Sequence, residues 1–339
     1  MTVQYDVPAI FEIEYLNKLK EIQAESKDKI STLFGSSNDS LIGHCRYSSK
    51  IPDLSYESLK DYINATHEMG IEFHYTINSP WTNFIERDRN SIERLHNFIE
   101  KLIKSGVDAL IVANPFLIYF IKNNFPNIRI VASINFQTAS IYKFKELLGL
   151  GCDSVVLDRT MNRKIHHLKS LSGYSHCFSL LVNSTCLVDC PLLQYHANEN
   201  GFMSSNSGVE IQDKRFCVDY CLGKIKKEPM ELLKAPWIRP EDIHMYEGVG
   251  VKKFKIHGRN EPMDRVLEIV EAYLNRKNSS DNLFLLFPNF RQWFPELNML
   301  FSNSKLSNVK FIDHFFKKSC DLDCDHCNYC AEIFKKCKC

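Results

Sequence analysis

Residues 90–134 read NSIERLHNFIEKLIKSGVDALIVANPFLIYFIKNNFPNIRIVASI, and their pattern decides the fold. Ile92, Leu95, Phe98, Ile99, Leu102 and Ile103 recur at helical spacing, which predicts a helix over 90–105 that stops at Gly106. An unbroken apolar run follows at 107–113 (VDALIVA), then a second helix at 115–124, a proline at 126 and a second run at 128–134 (IRIVASI). Runs too apolar to have one face in water are strands covered on both sides, as in a parallel sheet flanked by helices.

The same alternation extends outward in both directions. Upstream, a helix at 55–69 ends at Gly70 and feeds a strand at 71–77, and Ile42–Arg46 reads as a short first strand. Residues 8–25 carry helical periodicity, with Ile10, Ile13, Leu16, Leu19 and Ile22 on one face. Downstream come strands at 153–157 and 177–182 separated by helix 160–171. After them follow helix 240–249, strand 251–257, helix 261–275 and strand 283–287. Eight strands favour a closed (βα)8 TIM-like barrel over an open sheet. A cysteine-bearing insertion at 184–240 then follows the sixth strand. The organisation expected is a barrel domain over 1–315 and a cysteine-rich tail over 316–339.

Composition excludes some functions. Lys and Arg number 42 against 41 Asp and Glu, so no global field draws the chain to nucleic acid or anionic membrane. Lys224, Lys226, Lys227, Lys252, Lys253 and Lys255 read as scattered solvated lysines. No run approaches a membrane span and no signal peptide is evident, so the expected compartment is the cytoplasm. There, 13 cysteines point to metal or redox chemistry rather than to disulfides.

Two groups of cysteines stand out. Cys186, Cys190, Cys217 and Cys221 form two CxxxC pairs in the insertion, and four soft thiolates suit an iron–sulfur cluster or zinc. In the tail, Cys320, Cys324, Cys327 and Cys330 supply four more for a second cluster or zinc, and Cys337 and Cys339 could substitute. Cys45, Cys152 and Cys177 read as small core residues, with Cys45 placed to face the barrel mouth.

Polar residues gather at the strand ends: Arg46, Asn78, Asn114, Asn135, Asp158, Asn183 and Arg259. In a barrel such positions ring one mouth. Arg46 and Arg259 suit a carboxylate or phosphate, which guanidinium binds bidentately. His196 is a candidate acid–base or a donor to a cluster sulfide. Asp158 is a candidate acid with Arg159 as partner, and Trp81 and Phe84 a flap or a seal over the mouth.

Three segments carry a resemblance: IEFHYTIN (71–78), LLVNSTCLVDCPLLQYH (180–196) and WIRPEDIHMYEGVGVKKFKIHGR (237–259). They resemble the collagenase-like peptidase family, peptidase family U32. The resemblance implies a TIM-like barrel and a cysteine-bound 4Fe–4S cluster. It also implies a part in oxygen-independent hydroxylation of a small molecule, peptide or RNA, with a prephenate-like hydroxyl donor, alone or with a heteromeric partner protein. Cys186 and Cys190 are closer together than the first two ligands of many relatives, so the ligand set stays open. The family's Gly-rich peptidase signature is absent and no HExxH motif occurs. A peptidase built on Cys190 and His196, and a non-catalytic cluster-bearing subunit, are the alternative readings. RNA is not favoured as a substrate, and no membrane partner is expected.

Overall fold

A computed structural model of the chain describes residues 2–38, 41–46, 52–205, 216–288, 290–294 and 301–337. Eight parallel strands close into a barrel: β1 Gln4–Pro8, β2 Lys29–Gly35, β3 Glu72–Ile77, β4 Ala109–Val112, β5 Arg129–Ala132, β6 Ser154–Val156, β7 Phe178–Leu181 and β8 Lys253–Lys255. Each pairs with the next, and β8 returns to β1 through Gln4 opposite Lys253.

The helices between strands are α1 Ile13–Ala24, α2 Tyr56–Glu68, α3 Arg89–Lys104, α4 Pro115–Asn124, α5 Ile141–Gly149 and α6 Ile165–Ser170. Local chemistry sets their limits. The side chains of Ser55, Asp88, Asn114 and Ser140 accept backbone N–H groups at the starts of α2, α3, α4 and α5. After α2 and α3 the backbone turns into the next strand at Gly70 and Gly106, with φ of +71° and +91°, where a side chain would be strained.

The predicted barrel is present, with two strands exchanged. Ile42–Arg46 is a loop, and 283–286 is a 3₁₀ turn whose apolar run fills the outer core through Leu283 and Leu286. β1 and β2 take their places, and the helix expected from residue 8 begins at Ile13. The cysteine-bearing insertion therefore follows the seventh strand, β7. It carries α7 Leu193–Met203, α8 Phe216–Lys227 and α9 Glu231–Lys234, followed by α10 Ile243–Gly248 before β8 and α11 Met263–Leu274 after it.

Two concentric cores hold the barrel. The larger lies between strands and helices and includes Tyr5, Phe73, Tyr75, Phe178 and Phe254. The smaller fills the lumen with Phe34, Ala109, Ile111, Val131 and Val156. Side chains alternate along each strand, so the other lumen positions fall to Asp6, Thr32, His74, Thr76, Lys253 and Lys255. Lys253 meets Asp6 at 3.0 Å, closing the lower lumen with an ion pair.

The tail lies against the barrel as short helices, among them Asn303–Asn308, Asp313–Lys317, Cys324–Cys327 and Tyr329–Cys337. Ile333 and Cys337 enter the outer core. Among the described residues, no helix is long and apolar enough to cross a membrane.

Candidate functional site

At the C-terminal mouth of the barrel, cations converge. His257, just past β8, keeps an exposed face; crowding by the surrounding protein, followed by repulsion from Arg259, Arg159, Arg46 and Lys255, lowers its pKa. Three guanidinium groups and an amine thus act on one imidazole. Lys255 is pushed down to about 7 by its burial in the lumen, an effect that Asp6 opposes and Arg259 and Lys253 reinforce. Its Nζ lies 3.3 Å from the centre of the Phe34 ring. Arg259 donates to Thr76 Oγ1 at 2.8 Å and to the His44 carbonyl at 3.3 Å. Arg46 donates to Asn260 Oδ1 at 2.8 Å and to the Arg259 carbonyl.

Burial and the two arginines push His44 down to about 3, and neither of its ring nitrogens has a partner among the described residues. Desolvated cations beside unpartnered polar groups are the electrostatic form of an anion site.

The other predicted mouth residues have local duties. Asn114 caps α4 and donates to the Pro80 carbonyl. Asp158 accepts from Thr160 N and Oγ1, so it caps the turn after β6, and Arg159 donates to Ser184 Oγ rather than pairing with it. Asn183 stitches β7 to β8: it donates to the His257 and Leu286 carbonyls and accepts from His257 N. Asn78 donates to Ser133 Oγ, and its own Oδ1 is buried without a partner among the described residues. Asn135 donates to the Asn78 carbonyl and to Cys45 Sγ. Cys45 does reach the mouth, but as a thiol pushed up to about 12 by burial.

Lys255, His257 and His44 were missed. The pattern K-F-K puts both lysines of β8 on the lumen face, so the reading of Lys253 and Lys255 as solvated is corrected: Lys255 is only 8% exposed. Trp81 packs on Phe202 of α7 at 5.2 Å, whereas Phe84 is 66% exposed.

The insertion brings the first thiol group to the same end. Burial, followed by Cys186 and Cys190, pushes Cys221 up to about 12. Burial, Glu199 and Cys190 push Cys217 up to about 11. Cys190 is raised by burial and by Cys186, against an opposing pull from Arg159. Cys190 is thus within electrostatic reach of the other three thiols, and ionising several of them together would be costly without a cation among them. Arg159, Cys186 and Cys190 share a recess of about 110 Å³ with Asp158 and Gln137, and Arg159 Nη1 is buried without a partner among the described residues. His196 on α7 is lowered by burial and by Arg159.

In the tail, Cys324 and Cys330 are raised by burial and by their neighbours Cys320 and Cys327. Cys337 is buried in the core, and Cys339 lies outside the described residues. Among the described residues no three His, Cys, Asp or Glu side chains form a shell for a single metal ion. The thiols are grouped, not drawn onto one point.

A closed (βα)8 barrel with a cationic mouth beside a four-thiol insertion defines the class. The sequence profile of peptidase family U32 matches residues 18–175 of the chain. It is similar to an uncharacterized protease of Methanocaldococcus jannaschii, 26% identical over 330 residues, covering 96% of this chain and 93% of that one. It is also similar to tRNA hydroxylation protein P of Haemophilus influenzae, 26% identical over 122 residues, 35% of this chain and 25% of that one. The solved structure of a U32 peptidase superposes with a TM-score of 0.56 at 13% identity, covering 77% of this chain and 95% of the other.

Proposed function

We propose that the protein is an iron–sulfur barrel enzyme that performs an oxygen-independent hydroxylation, using a carboxylate-bearing hydroxyl donor of the prephenate kind held at the barrel mouth. The observation that carries this reading is the position of Arg159. It acts on His257 in the cationic recess and on Cys190 in the thiol group, so the two sites adjoin. Cys186, Cys190, Cys217 and Cys221 fit a 4Fe–4S cluster, which takes one thiolate per iron and would relieve their mutual repulsion. Such a cluster would supply one-electron chemistry next to the recess.

The chain's own residues bind and orient the donor. Arg46 and Arg259 would take its carboxylate groups, and the Phe34 ring floors the recess against water. Lys255, near its titration point at neutral pH, can hold or give up a proton at Nζ. The partial likeness to tRNA hydroxylation protein P supports hydroxylation as the reaction class. A peptidase reading is weaker, because burial raises the Cys190 thiol instead of activating it as a nucleophile.

Protein purified without oxygen should contain iron and acid-labile sulfide in equal amounts and should bind prephenate. Zinc without sulfide would overturn the redox reading. Iron–sulfur protein that fails to bind carboxylates would overturn the donor site.

A further inference from the structure

The tail folds back on the barrel beside Arg163, a residue that the mouth chemistry does not use. Cys320 N donates to the Arg163 carbonyl at 3.0 Å, and Tyr329 Oη donates to the Phe311 carbonyl at 2.9 Å. The Tyr329 ring stacks on His314 at 3.8 Å, and His314 Nε2 lies 3.8 Å from Cys327 Sγ. These contacts draw Cys320, Cys324, Cys327 and Cys330 around one recess of about 100 Å³, with Lys234 and Phe315 in its wall. That volume is several times what one water or one bare ion needs.

Arg163 stands next to this recess and is 2% exposed. Its guanidinium sits 4.2 Å from the ring centre of Phe315, 5.0 Å from Phe311 and 5.1 Å from Trp237. Among the described residues its Nε and Nη1 have no hydrogen-bond partner, and Nη2 reaches only the Ala235 carbonyl at 3.5 Å. A guanidinium keeps its charge even when buried, and a buried charge is costly unless an opposite one lies near. Aromatic faces offset part of that cost. Cys330 is the thiol that feels Arg163. Four neutral thiols would leave the arginine without a counter-charge, whereas four thiolates on a metal core would supply a net anion.

We propose that Cys320, Cys324, Cys327 and Cys330 hold a second iron–sulfur cluster, and that Arg163 is its buried counter-cation. The site is separate from the mouth and does not depend on the hydroxylation reading. Arg163 is a positioning residue: its charge favours the reduced, more negative form of the cluster and so raises its potential.

The test uses the full chain, purified without oxygen. Native protein should carry about eight irons and eight sulfides, as two 4Fe–4S clusters require. The Cys324→Ser/Cys330→Ser variant should lose about half, and Cys186→Ala/Cys221→Ala the other half. In the latter background, Arg163→Met should shift the remaining cluster's potential to more negative values, and Arg163→Lys should restore it. Unchanged iron in the tail variant would overturn the site, as would the loss of one zinc instead of iron. A potential that Arg163→Met leaves unmoved would overturn the counter-cation role. If the main site held no cluster, only the tail variant would lose iron, so the two proposals fail separately.

Discussion

Lys255 Nζ lies 3.3 Å from the centre of the Phe34 ring, inside the barrel and below Arg259. In the unfolded chain this amine titrates near 10.5, and in the fold at about 7. Between those values the unfolded chain holds a proton that the folded one lacks, so stability rises with pH across that window and is lowest below it. Urea midpoints measured from pH 6 to 10 should rise accordingly, and Lys255→Met should flatten the rise. A bound carboxylate reverses the preference by favouring the charged amine. Donor affinity should then weaken above pH 7, by at most about tenfold per pH unit, in calorimetric titrations.

Arg259 should matter more for binding than for folding. Its hydrogen bonds go to Thr76 and to a backbone carbonyl, so Arg259→Met should leave the barrel intact. Loss of a desolvated, charge-assisted contact costs about 2–5 kcal/mol, so prephenate affinity should fall by a factor of roughly 30 or more. Circular dichroism would check the fold, and an unchanged dissociation constant would show that the anion binds elsewhere.

The two mouth-end cysteine environments should separate cleanly. Cys186→Ala should abolish the absorbance of the main cluster. Cys45→Ala should leave it unchanged, because Cys45 Sγ donates to the Asn78 and Ala197 carbonyls as a neutral thiol. Iron loss in the Cys45 variant would reassign the ligand set.

The barrel is legible where the strands are apolar on both faces, from β3 to β7, because helix, glycine and strand repeat there with clear periods. β1 (QYDVP) and β2 (KISTLFG) escape because this lumen is polar. Asp6 and Thr32 point inward to Lys253, and the strands alternate like loops or solvated edges. The opposite error falls on 283–287, an apolar run without periodicity that core packing turns into a 3₁₀ turn. Both runs of cysteines stand out in the sequence by their spacing. Lys255 is not, because a lysine-rich strand reads as solvated until the lumen is known, and Arg163 becomes notable only once its aromatic cage is formed.

Gly43 and Gly201 explain why residues 42–46 form a loop and not a strand. The loop presses against α7 of the insertion so closely that a Cβ on Gly43 would meet the Gly201 carbonyl oxygen at 2.0 Å. A Cβ on Gly201 would meet Ser79 Oγ at 2.0 Å, and Ser204 Oγ accepts from His44 N and Cys45 N. Backbone cannot yield as a side chain can. Gly43→Ala should therefore cost about 2–3 kcal/mol, at the upper end of overpacking effects. Gly201→Ala should cost less, because Ser79 can move and alanine regains about 1 kcal/mol of helix propensity. Since the same loop carries Arg46, Gly43→Ala should also weaken carboxylate binding, while Gly201→Ala should weaken it less. Urea midpoints and calorimetric titrations on the two variants would check the order, and equal costs would show that α7 moves away as a unit.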